Sequence, residues 1–154
     1  MRQLKMVISK LNLNKIHENL NLIGEFLEKL KRLSKLPKDD FLRDERNPAA
    51  AESFLRRCIE AIFDVGRHIL SKSFSFRSLE YKEVAKELGD KGIVSKKYSQ
   101  ILVKMAGYRN RMVHFYREIL PEELYDILHN ELIDIEKFLK EMDIFIKKYR
   151  DKAD

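Results

Sequence analysis

The chain has one cysteine, three prolines and five glycines in 154 residues. A lone Cys58 excludes an intramolecular disulfide and a zinc site built on cysteines. So few prolines and glycines argue against a β-rich chain with many tight turns. They leave no G-x-G-x-x-G or P-loop pattern to cradle the phosphates of a nucleotide. No run of about 18 apolar residues is present, so no membrane-spanning helix is expected. The first ten residues hold no apolar core of a secretory signal, and a cytoplasmic protein without a membrane partner is the expectation. The four histidines are scattered, with no H-E-x-x-H pair, so neither a metal site nor a cofactor is expected.

What the sequence does have is charge and helical periodicity. Charged residues make up 36% and apolar residues 44%, which fits a folded chain with a real core. The length fits one domain over 1–154, with a core of about 12–149. The net charge of +6 is compatible with an anionic partner, nucleic acid first, though many basic proteins bind none.

Leu13, Ile16, Leu20, Ile23, Leu27 and Leu30 recur at spacings of three and four, predicting a helix over about 12–34. Residues 37–40 end it. Asn47-Pro48 reads as the start of a second helix to about residue 72, because Asn accepts from free N–H groups and Pro suits the first helical position. Its inner face would hold Phe54, Cys58, Ala61, Ile62, Val65 and Ile69. Residues 71–78 read as a loop. A short helix over about 79–88 would bury Leu79, Val84, Ala85 and Leu88 and stop at Gly89. Ser95 can cap the next helix, with Tyr98, Ile101, Leu102, Met105 and Met112 inside. Pro121 opens a last helix, striped by Leu124, Leu128, Leu132, Ile135, Leu139, Met142 and Ile146. The expected fold is all-α, an antiparallel bundle of four to five helices.

One polar cluster interrupts this regularity. Residues 107–117 hold three arginines, one histidine, one asparagine and three aromatics. An arginine presents a planar fork of donors to phosphate, and a histidine exchanges protons near neutral pH. Together they suffice for RNA cleavage without a metal, the histidine moving the proton and the arginine stabilising the phosphorane. The alternative is a solvated arginine patch at a helix end with one surface histidine. Arg111 and Arg117 read as phosphate-steering or solvated. Tyr108 and Tyr116 are placed to stack on a base. Asp64 and His68, one turn apart, would either serve the site or close an edge of the bundle as a local pair. Asn110 would contact RNA or a facing protomer, or simply occupy a polar helix position. His17 and His129 read as surface residues, Cys58 as a small core residue.

The segment Arg109-Asn-Arg-Met-Val-His114-Phe-Tyr116 resembles the R-x4-H-x-Y motif of HEPN-domain proteins, and most of all the HepT branch associated with minimal nucleotidyltransferases. Ala50 to Glu52, the stretch from Asp64 to His68, Tyr81, Leu88 and 92–94 extend the likeness, which spans roughly residues 12–145. The resemblance implies a metal-independent endoribonuclease toxin that works as a homodimer, with the two motif helices lining one cleft. Arg109 and His114 would be catalytic, and Asn110, Arg111, Tyr116 and Asp64 would support RNA binding. The partner it implies is a small nucleotidyltransferase antitoxin that adenylylates the motif tyrosine, here Tyr116. A non-catalytic HEPN-type module, binding such a partner or a nucleotide, is the rival reading, and a basic RNA-binding bundle a third.

The phase of the motif poses a question. At about 100° per residue, His114 lies about 140° round from Arg109 in a straight helix. Either the helix ends or distorts near Val113, or the site combines residues of two protomers. The shared site is the expectation, because the resembled family is dimeric.

Overall fold

A computed structural model describes residues 10–114 and 119–153. Among these residues there are seven helices and no strand. The first forms where expected. The Asn12 side chain accepts from the Lys15 N–H at 3.1 Å, satisfying one of the free donors that open α1, Leu13–Ser34. Ile16, Ile23, Phe26, Leu27 and Leu30 are its buried positions.

A short α2, Lys38–Arg43, stands in the 37–40 stretch expected only to end the first helix. Phe41 explains it, since one turn suffices to deliver this fully buried ring, which lies 5.2 Å from the ring of Tyr125. The next helix, α3, runs Arg46–Phe74 and so begins before Asn47. The Asp44 carboxylate accepts from the Arg46 N–H at 3.0 Å, doing what was expected of Asn47. Pro48 sits in the first turn, where its missing N–H costs nothing. Cys58, Ala61, Ile62, Val65 and Ile69 are buried as expected, and Phe54 is partly so. The helix extends to Phe74 and ends at Ser75 in the left-handed conformation (φ 58°), with the Ser75 N–H on the Leu70 carbonyl. The loop expected over 71–78 therefore covers only its second half.

Helix α4, Tyr81–Asp90, buries Tyr81, Val84, Ala85 and Leu88. Leu79 lies outside the helix and is 86% exposed, against expectation. Gly89 is not the stop. It lies within α4, and a Cβ there would meet Ser99 Cβ at 2.6 Å. Its role is close approach to α5, Lys96–Val113, where Ser99 Oγ donates to the Ala85 carbonyl at 2.7 Å. The turn after α4 is made by Gly92 at φ 72°. Ser95 caps α5 by accepting from the Tyr98 N–H.

The last expected helix is two, α6 (Pro121–Asn130) and α7 (Leu132–Ala153). Glu131 breaks them apart, with φ −126° and ψ 0°. Its carboxylate is gripped from α5, by Tyr108 Oη at 2.7 Å and Lys104 Nζ at 2.9 Å. These bonds hold a break that the apolar stripe running through it does not announce.

The long α3 packs against α1, α2, α4, α5 and α6, while α7 lies on α1 and α6. Phe63, Phe138 and Phe145 join Phe41 among the largest fully buried side chains, each contributing roughly 1.5–3 kcal/mol by burial. Cys58 is buried within this core, and burial pushes its thiol up to about 12. Among the described residues no helix is long and apolar enough to cross a membrane.

Candidate functional site

The polar cluster occupies the end of α5. The helix stops at Val113, and His114 is the first residue out of it, with extended backbone (φ −107°, ψ 95°) and its N–H on the Asn110 carbonyl at 3.2 Å. The helix thus ends at Val113, the first of the two alternatives for the phase of the motif, so helical phase does not fix the direction of His114 relative to Arg109. Arg109 keeps its helical direction, and His114, which is exposed, no longer follows it.

Arg109 is held from two sides. Its Nε donates to Glu60 Oε2 on α3 at 3.3 Å. Its guanidinium lies over the Tyr81 ring, 4.3 Å from the centroid, an attraction worth about 0.5–2 kcal/mol. The ring is itself stacked on Phe63 at 4.6 Å. Arg67 also approaches Tyr81, at 5.0 Å, so two cations share one aromatic support. Burial raises the Tyr81 phenol, against the lowering effect of Arg109 and Arg67. Because Glu60 takes only Nε, the two terminal nitrogens of Arg109 make no hydrogen bond among the described residues. That is the fork a phosphate would need. Glu60 also receives Arg56 at 3.4 Å.

Arg111 is placed differently. Both its terminal nitrogens donate to Glu123 on α6 at 2.7 Å, and this bond holds the Glu123 carboxyl below its usual range. An arriving phosphate has to displace Glu123 to use that fork. The half-buried Asn110 follows Arg109 on the same helical turn. Tyr116, and with it Arg117, lies outside the described residues.

Asp64 does not pair with His68. It accepts from Arg67 at 3.0 Å, while His68 Nε2 accepts from the Asn12 N–H at 3.1 Å. That bond turns His68 toward the start of α1. Burial, then Lys15 and Lys72, lowers its basicity. The half-buried Tyr108 has its hydroxyl tied to Glu131. Burial first, and that bond second, push the phenol up to about 12. His17 and His129 are exposed as expected. Among the described residues no three His, Cys, Asp or Glu side chains gather where a metal could sit.

Glu60 and Glu123 were missed in the sequence. Glu60 stands one turn before Asp64, on the same face of α3, so the helical phase alone offered it as a partner equal to Asp64. Glu123 lies in the first turn of α6, where a carboxylate is favoured whatever it pairs with, so its type and place announce no partner.

The sequence profile of the family described as "Ribonuclease HepT-like" matches residues 23–142. The chain belongs to the HepT-like ribonuclease family. It is 33% identical over 110 residues to the tRNA nuclease HepT of Aphanizomenon flos-aquae, covering 71% of this chain and 75% of that protein. It is 28% identical over 85 residues to the mRNA nuclease HepT of Shewanella oneidensis, covering 55% and 64%. Among solved structures, a tri-AMPylated HEPN toxin of Shewanella oneidensis in complex with MNT antitoxin superposes with a TM-score of 0.77 at 22% identity, over 84% of this chain and 97% of that one. YutE of Bacillus subtilis, a cytosolic protein of unknown function, gives 0.71 at 23%, over 90% and 92%. These likenesses show that this HepT-like chain has the HEPN toxin fold.

Proposed function

We propose that this HepT-like protein is a metal-independent endoribonuclease, the toxin of a pair whose antitoxin is a small nucleotidyltransferase. The observation that carries the reading is the end of α5. There Arg109 is braced by Glu60 and Tyr81 with its terminal nitrogens unbonded among the described residues, and His114 steps out of the helix into solvent. A phosphodiester seated on that fork has its developing negative charge met by a cation that is already oriented. The RNA 2′-hydroxyl attacks the adjacent phosphorus and loses its proton to a histidine. The bond to the 5′-oxygen breaks, and that oxygen takes a proton in turn. The products are a 2′,3′-cyclic phosphate and a 5′-hydroxyl. His114 serves as the acid or base. In a homodimer the partner's copy of the motif supplies a second proton carrier, which gives the composite site a chemical purpose. Asn110 and Asp64 support RNA binding, and Arg111 joins them once Glu123 is displaced. Tyr116 carries the regulatory modification.

The test is cleavage of RNA in EDTA. Activity should persist, DNA should be spared for want of the 2′-hydroxyl, and the products should bear cyclic phosphate ends. Arg109→Ala and His114→Ala should each lower the rate roughly 10²-fold or more. Loss of all activity on chelation, or cleavage of DNA at a similar rate, would refute the mechanism.

A further inference from the structure

Between the end of α3 and the start of α4 lies a cavity of about 500 Å³ that the chemistry above does not use. Its walls are Arg67, Ser71, Phe76, Arg77, Ser78 and Leu79. Arg67 belongs both to this wall and to the Tyr81 ring that supports Arg109, so the cavity continues the arginine site outward.

The cavity is built from a braced loop. Ser75 turns the chain out of α3, and the Phe76 N–H donates to the Leu70 carbonyl at 3.2 Å. At the other end Ser78 Oγ accepts from the Glu80 N–H and donates to Glu83, each at 3.1 Å. Between these two anchors stand the two residues the fold itself does not employ. Arg77 is exposed, with no hydrogen bond or ion pair among the described residues. Leu79 is 86% exposed, a large apolar side chain against water. Phe76 is only partly buried against the core.

We propose that this cavity is a subsite for a nucleotide flanking the scissile phosphate of single-stranded RNA. The base would lie against Phe76 and Leu79, and its phosphate between Arg67 and Arg77. Cations alternating with apolar and aromatic surface are the signature of single-strand binding, in which stacking and phosphate contact act together. Asp64 takes one terminal nitrogen of Arg67, and Glu83 is occupied by Ser78. Arg67 and Arg77 line the cavity, and Arg67 shares the Tyr81 ring with Arg109, an arrangement suited to a phosphodiester chain rather than to a protein segment. The inference rests on the RNA-cleaving reading above.

The experiment uses the full chain carrying His114→Ala, so that RNA is bound and not cut. Binding of a fluorescent single-stranded oligoribonucleotide of about ten nucleotides is followed by anisotropy against salt. Arg77→Ala should weaken binding about threefold to tenfold and flatten the slope of log K against log salt by about 0.7, the loss of one phosphate contact. Arg77→Lys should restore the slope. Leu79→Ser should weaken binding with the slope unchanged, since it removes apolar contact only. If the chain with His114 intact cleaves RNA but both variants bind like the parent, the subsite alone is overturned. The same holds if the variants lose only a protein partner. If the chain neither binds nor cleaves RNA, the ribonuclease reading falls and the subsite with it.

Discussion

Arg109, the proposed phosphate-binding residue, is held in one direction by neighbours on other elements, Glu60 and Tyr81. A free arginine loses rotamer entropy when it grips a phosphate, and the Glu60 bond and the Tyr81 ring remove that loss beforehand. Glu60 also competes with phosphate for the same cation, so its contribution is orientation rather than charge. Glu60→Gln keeps an acceptor near Arg109 Nε and should retain most activity. Glu60→Ala should lower kcat about tenfold, with KM changed little, because the misdirected fork costs more in the transition state than in binding. A drop in KM with kcat intact in Glu60→Ala would show that Glu60 only obstructs the phosphate. This geometry was half legible in the sequence. Arg109 and His114 stand out by residue type and spacing, and both lie at one helix end. Glu60 does not stand out, because a glutamate on a charged helix face looks like any other until the neighbouring helix is placed against it. The same blindness made Asp64 and His68 a pair. Their spacing permits contact, but the partners that won, Arg67 and the Asn12 N–H, come from elsewhere on the helix and from α1.

At the level of elements, stripes of apolar residues set the helices, and capping side chains set where α1 and α5 begin. The ends and breaks were harder. Leu124 through Ile146 continue one stripe across Glu131, so the α6–α7 break follows from a tertiary grip that a linear reading does not contain. Leu79 was drawn inward by its apolar character, although the chain enters α4 only at Tyr81. His68 ties two elements together in a way that acid should undo. Its Nε2 accepts from Asn12 and must be unprotonated to do so. Its folded basicity lies below the ordinary value of 6.5. The bond's contribution is therefore complete above pH 6.5 and lost as the pH falls through the lower folded value. The protection of the Asn12 amide, taken against its intrinsic exchange rate at the same pH, should fall as the pH drops below 6.5, and His68→Leu should abolish that dependence. A histidine titration midpoint at or above the ordinary value would contradict the acceptor role.

For the whole molecule, regulation should act through charge. On the proposed function, adenylylation of Tyr116 would add negative charge in the motif that holds Arg109 and Arg111, and so would set a covalent phosphate in competition with RNA. Co-expressed with the proposed nucleotidyltransferase partner, the wild-type chain should gain the mass of AMP, and Tyr116→Phe should keep its fold and escape both the modification and neutralisation. If the added mass persists in Tyr116→Phe, another residue is the target. Cys58 has a consequence of a different kind. The only sulfhydryl of the chain sits at zero exposure midway along the helix that most others pack upon, and its acidity is suppressed to about 12. An alkylating reagent finds nothing to react with until the core comes apart. The speed of labelling at one intrinsic atom should therefore clock the opening of the entire fold, without a dye, a tag or an engineered probe, and slow in proportion when a bound partner or a second copy steadies the native state.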